Sequence, residues 1–159
     1  MVRSSSVVAK LHRSPRARGL ALGIFAAMIL PASVATARAA ARTLNGTATA
    51  HLSLVHIDGS ELIERGPATG ALAGTAVATV HTGAVFTGTF TIDTHAGSIT
   101  GHGTATPRGT GRYQSFSGTF LATSGTSRYA HVRGRGGLYG TYDRRSDEVV
   151  IQITGTLSY

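Results

Sequence analysis

Six histidines lie between residues 38 and 159, at positions 51, 56, 81, 95, 102 and 131, and metal binding is the first chemistry they suggest. A zinc-type centre needs several such donors converging from one face. Strand parity works against that, because His51 and His102 fall on polar faces, His95 sits in a turn and His81 ends a strand. We therefore expect no metal site and no cofactor. His56 shares the apolar parity of its strand. Its bland reading is a strand end beside Asp58. Its sharper reading is a polar group at the mouth of an apolar cavity, where a ligand needs orientation.

The carboxylates cluster twice, as Asp58, Glu61 and Glu64 in the first long connection and as Asp143, Asp147 and Glu148 around a turn holding Arg144 and Arg145. Both clusters read as solvated turns. No Gly-x-Ser-x-Gly nucleophile elbow occurs. The stretch Arg133-Gly-Arg-Gly-Gly137 is followed by neither a helix nor Lys-Ser/Thr, so it is no phosphate loop. Arg128, Arg133, Arg135, Arg144 and Arg145, with Tyr129 and Tyr139, would make a basic aromatic patch of the kind that holds polyanions. No residue stands out as catalytic.

The elements that must position these side chains begin after an export signal. Arg3, Lys10, Arg13, Arg16 and Arg18 precede the apolar run Leu20–Leu30, which is followed by Pro31 and by the small residues from Ala32 to Ala37. Charged, apolar and small is the order of a secretory signal. The run is too short to cross a hydrocarbon core of roughly 30 Å as a helix. Ala35-Thr36-Ala37 fits the cleavage rule, and no twin arginine is present. The expectation is export by the general secretory route, with residues 1–37 removed, residues 38–159 secreted as one domain, and no stable membrane insertion afterwards. Of the 15 basic and 7 acidic residues, five basic ones lie in the signal and every acid lies beyond it, so ten against seven leaves +3 on the mature chain. That charge argues against a nucleic-acid partner.

The mature chain has no cysteine, so burial and closure must hold it. Gly-Thr recurs at 74, 88, 103, 118, 140 and 155, mostly at the spacing of one strand plus one turn. That period points to an antiparallel meander. Alternation agrees with it. Phe86, Gly88, Phe90 and Ile92 oppose Thr87, Thr89, Thr91 and Asp93; Phe116, Gly118, Phe120 and Ala122 repeat the design; Val149, Ile151, Ile153, Gly155 and Leu157 share one parity. Leu44, Gly46, Ala48, Ala50, Leu52 and Leu54 give the first strand its apolar side.

The turn Thr94-His95-Ala96-Gly97 pairs Phe90 with Gly101 and Ile92 with Ile99. Extension across residues 107–114 pairs Gly101 with Phe120 and Gly103 with Gly118, which sets Gly101 between two rings. A ring covering a glycine suits a sharply curved sheet. The last hairpin pairs Tyr142 with Val149 and Leu138 with Ile153. Ser60–Arg65 reads as one turn of helix. The fold class expected is all-β, a small antiparallel meander barrel of about seven or eight strands, with a two-sheet sandwich as the competing arrangement.

Phe116-Ser-Gly-Thr-Phe120, the run Ser124-Gly-Thr-Ser-Arg-Tyr129 continuing to Gly134, and Gly155-Thr-Leu-Ser-Tyr159 resemble a family of small secreted bacterial proteins, mostly uncharacterised. Their pattern in turn resembles the barrel of allene oxide cyclases and dirigent proteins. The likeness covers roughly residues 70–159, departs from the family at Ser127, where glycine is usual, and is duplicated at Gly109-Thr-Gly-Arg-Tyr113. It implies a barrel and maps no catalytic residue onto this chain.

The function expected is a secreted, non-catalytic barrel binding a small apolar molecule, with His56, Phe90, Phe120 and Tyr142 as candidate ligand-contacting residues. An isomerase or cyclase of the allene oxide cyclase or dirigent type is the alternative, and a structural module without a ligand is the third. Two or more polar groups converging inside the barrel would favour the enzyme, one at a mouth would favour binding, and a solid core would favour the structural module. Oligomeric state is not legible.

Overall fold

The structure is a computed structural model, and it describes residues 41–159. The signal expected over residues 1–37 lies outside the described residues. Eight antiparallel strands follow in order: β1 (Thr43–Asp58), β2 (Glu61–Gly70), β3 (Gly74–His81), β4 (Phe86–Thr94), β5 (Gly97–Arg108), β6 (Tyr113–Gly125), β7 (Arg133–Asp143) and β8 (Glu148–Ser158). Each strand pairs with its sequence neighbour, and β8 returns to β1, so the sheet is a closed meander barrel rather than a sandwich. The only helical element among the described residues is a 3-10 turn at Ser127–Tyr129.

Closure follows from alternation. The apolar parity of each strand faces inward, and Leu52, Ala76, Ile92, Ile99, Phe116, Phe120 and Val149 are all buried. The outer parity is rich in threonine, whose hydroxyls link neighbouring strands: Thr47 and Thr154 lie 3.0 Å apart, and Thr91 and Thr100 3.2 Å apart. Small inward residues, including Ala48, Ala68, Ala76 and Ala78, let the barrel close without overfilling it.

The β4–β5 pairing is the expected one, with Phe90 against Gly101 and Ile92 against Ile99. So is β7–β8, with Tyr142 against Val149 and Leu138 against Ile153. The β5–β6 pairing is corrected by two residues: Gly101 faces Ala122, and Gly103 faces Phe120. The strands run further into this connection than expected, pairing Arg108 with Ser115, and a bulge sits between Thr100 and Gly101. The ring-over-glycine packing survives with one change of partner. A Cβ on Gly101 would lie 2.7 Å from Phe90 Cζ, whereas Phe120 covers Gly136, where a Cβ would lie 2.6 Å from Phe120 Cε1.

Two further expectations are overturned in the first hairpin. Ser60–Arg65 is no helical turn, because Glu61–Gly70 is strand β2, entered through a tight turn at Gly59 and Ser60. The bulge between Leu54 and His56 ends the simple alternation of β1.

The two ends of the barrel differ. One carries the start of β1, the end of β8 and the connections after β2, β4 and β6. There the 3-10 turn folds across the opening, held by Thr126 N–H to Ser98 O at 3.0 Å and Arg128 N–H to Ala96 O at 3.1 Å. It presents Tyr129 and Val132 to the core, and Tyr129 packs edge-on against Tyr159 at 4.9 Å. Ser127 takes φ +51, a left-handed conformation glycine adopts more readily. The other end carries the four connections after β1, β3, β5 and β7, and it is open.

Candidate functional site

The open end leads into a cavity of about 610 Å³. Its walls are the inward residues of the strands. Ala48, Ala50, Ala76 and Ala78 form a shallow side, and Phe86, Phe90, Phe116 and Phe120 face it from β4 and β6. Phe86 meets Phe116 edge-on at 6.1 Å, and Phe90 meets Phe120 likewise at 6.2 Å. Phe120 is the floor: beyond it lies a void of only about 20 Å³, bounded by Leu72 and Leu157.

Polar side chains enter this lining near the mouth. Glu64 arrives from β2 on the same parity as Leu62 and Ala68, and it is 3% exposed. Its strand neighbours are Leu54 on β1 and Ala78 on β3, so neither flank offers a charge. Neither ion pair among the described residues involves Glu64. No side-chain polar atom among those residues is both sealed and unpartnered, so the Glu64 carboxyl opens onto the cavity it lines. Burial pushes its pKa up from an ordinary 4.5 to about 7, and the nearby Asp147 carboxylate pushes in the same direction. Loss of hydration disfavours the charged form of an acid, and a like charge adds to that.

Tyr142 lines the cavity from β7 and donates its phenol proton to Asp147 Oδ1 at 2.5 Å. That hydrogen bond, then burial, then the Asp147 and Glu64 charges hold its pKa up at about 12, against an opposing pull from Arg144. The phenol proton is thus committed to Asp147, while the oxygen keeps free lone pairs. Gln114, Arg144 and five threonines are the other polar residues of the lining. The rim is braced from outside. Arg112 grips Asp143 in a bidentate pair, with its shortest contact at 2.7 Å, and Arg144 N–H donates to Arg112 O at 2.9 Å. The Arg112 hydrogen bonds hold the Asp143 pKa down at about 2.

Of the residues singled out in the sequence, Phe90, Phe120 and Tyr142 come together on the cavity wall. His56 does not. It is exposed beyond the bulge in β1 and takes no part in the lining. Glu64 and Asp147 also depart from the solvated-turn reading, since Glu64 is buried and Asp147 backs the Tyr142 phenol.

The arginines do not form one patch. Arg128 stacks over Tyr159 at the closed end, Arg133 bonds the backbone carbonyls of Thr123 and Val132, and Arg144 and Arg145 stand in the turn at the opposite end. Among the described residues no group of three or more His, Asp or Glu is placed to hold a metal ion. His81 lies 3.4 Å from Glu61, a pair that is ionic only when the imidazole is protonated.

Glu64 is the site residue that sequence reasoning missed. A signal for it existed: Gly59-Ser60, after Asp58, is a two-residue hairpin turn in the making, and Gly59 does take φ +59. A strand leaving that turn places Leu62, Glu64 and Ala68 on one face. No family model, curated protein or solved structure matches the chain.

Proposed function

We propose that the barrel is an exported, non-catalytic module that binds one small, largely apolar molecule through its open end. The observation that carries this reading is the cavity itself. About 610 Å³ lies within the range of small-molecule sites, and its lining is mostly alanine, phenylalanine and branched aliphatic side chains. Burial of a ligand there gains roughly 25 cal/mol for each Å² of apolar surface removed from water. The open end gives the ligand a route in, and the plugged end gives it a floor.

The test is titration with an environment-sensitive apolar dye at two salt concentrations. Phe90→Leu alters the wall and changes the affinity, whereas Arg145→Ala, outside the lining, does not. Salt-dependent binding that is lost in Arg145→Ala and unchanged in Phe90→Leu refutes the cavity reading in favour of polyanion binding. Export is tested by sequencing the N-terminus of secreted protein, which should begin near Arg38.

A second reading, an isomerase or cyclase, is favoured by one observation: Glu64 and Tyr142 are two polar groups converging on a mostly apolar cavity. Mass spectrometry under native conditions of protein from its own host reveals a retained ligand as added mass. If that ligand is released, returned to the protein and recovered with altered connectivity, the protein is an enzyme.

A further inference from the structure

The Glu64 carboxyl sits inside an apolar cavity, 3% exposed, with no cation of its own. The groups around it leave one kind of partner unprovided. Leu54 and Ala78 flank it in the sheet. Across the cavity mouth stand Tyr142, Asp147 and Arg144, and the other polar residues of the lining, Gln114 and five threonines, carry no charge. Asp147 is a second acid. Arg144 lines the cavity as well, but among the described residues it forms no ion pair with Glu64. The Tyr142 proton points at Asp147, so the Tyr142 oxygen offers the cavity only lone pairs. Ionised, Glu64 likewise only accepts hydrogen bonds.

Resting on the cavity-binding reading, we propose that the ligand is an apolar amine, whose ammonium group seats against the Glu64 carboxylate and the Tyr142 oxygen while its hydrocarbon body fills the phenylalanine-lined space. An ammonium carries three donors and supplies the cation this acceptor pair lacks. A neutral ligand leaves Glu64 without a counter-charge, and an anionic one meets two acids.

Proton linkage gives the proposal a signature. The free site holds a Glu64 proton up to about pH 7, and the amine must displace it. If the ammonium returns the carboxyl to its ordinary range, amine affinity is on the order of twentyfold weaker near pH 5.5 than near pH 8. A neutral ligand of the same shape shows no such change.

The experiment titrates the protein with 1-naphthylmethylamine and with 1-naphthylmethanol, near pH 5.5 and near pH 8, following naphthalene fluorescence. The expected result is that both bind, that the amine binds at least about tenfold more tightly near pH 8, and that this advantage shrinks or vanishes near pH 5.5. Glu64→Gln should abolish both the preference and its pH dependence while keeping the affinity for the alcohol, which also shows that the cavity is intact. Equal or tighter binding of the alcohol near pH 8, or an amine preference that survives Glu64→Gln, overturns the amine assignment and leaves the cavity reading standing. Binding of neither probe overturns both.

Discussion

At the end of the barrel crossed by the 3-10 turn, Val132 is 0% exposed and Ile99 1%, and Tyr129 and Leu157 close over them. At the opposite end Phe86 is only half buried, four tight connections stand around an opening, and a buried acid looks into empty space. Both ends belong to one sheet with one alternation. They differ in what the connections bring: seven residues between β6 and β7 supply buried side chains that fill the barrel, whereas Gly59-Ser60 and the other turns at the open end supply no buried side chain. The closed end is built for stability, and the open end keeps an interior surface that stability does not require.

The largest expected effect tests that division. Phe120→Ala, at the floor where the two regions meet, should destabilise by about 3–5 kcal/mol, the range for removal of a buried ring. It also joins the small void to the main cavity. Phe86→Ala, at the open rim, should cost less than half as much, because its ring already faces solvent. Denaturant unfolding measures both. Equal losses would mean that the rim is as much part of the core as the floor, and the contrast between the ends would fail.

Next in size is the penalty attached to Glu64. Its folded pKa, about 7, lies above its ordinary 4.5. The folded state therefore holds this proton more tightly than the unfolded chain does. The contribution to stability is fully present below about pH 4.5, is lost as pH rises through about 7, and amounts to at most about 3 kcal/mol. Glu64→Gln should remove that slope and leave the variant more stable than the parent near pH 8, by about 1–3 kcal/mol. Thermal or denaturant unfolding across this pH range reads it out. A steeper fall in the variant than in the parent would contradict the burial of the carboxyl. Among the described residues no comparable acid lies in the closed end, where the buried residues are apolar apart from the Tyr129 hydroxyl.

Much of this architecture is legible from the order of residues, and the misses are local. The β4–β5 hairpin was readable because Thr94-His95-Ala96-Gly97 is short and Gly97 takes the positive φ its turn needs. The β5–β6 register slipped by two because the length of a longer connection does not say where pairing resumes. A slip of two preserves side-chain parity, so every face assignment on β6 survived it, whereas a slip of one would have reversed them all. That single-residue reversal did occur on β1. A bulge between Leu54 and His56 carries no marker in residue type, and it turned His56 out of the interior. Glu64 was obscured differently. Leu62 and Ile63 are adjacent apolar residues, which blurs alternation, and Gly66, Pro67 and Gly70 give β2 the composition of a loop. The inward placement of Phe90, Phe120 and Tyr142, on regular strands, is legible from pattern. The part that distinguishes this cavity from any other apolar one is not.

The smallest effect compares one deletion at both ends. Tyr142 and Tyr159 each use a phenol oxygen in a side-chain hydrogen bond: Tyr142 donates to Asp147 at 2.5 Å, and Tyr159 accepts from Arg128 at 3.1 Å. Tyr142→Phe removes a donor from an ionised acceptor at the cavity mouth, and about 1.5 kcal/mol should be lost. Tyr159→Phe should cost well under about 1 kcal/mol, because the exposed Arg128 keeps its stacking on the ring and regains water at its guanidinium. The hydrogen bond to Asp147 also leaves a titration mark. The folded Tyr142 phenol ionises near 12, above its ordinary 10, so its contribution holds below pH 10 and is lost as pH rises through about 12. Ultraviolet titration should therefore show one tyrosine ionising late in the parent and none so late in Tyr142→Phe. A late-ionising tyrosine that persists in Tyr142→Phe would place the perturbed phenol elsewhere and remove Tyr142 from the acceptor pair. Equal stability losses from the two substitutions would show that the mouth of the cavity is no more sensitive to a lost hydrogen bond than the plugged end.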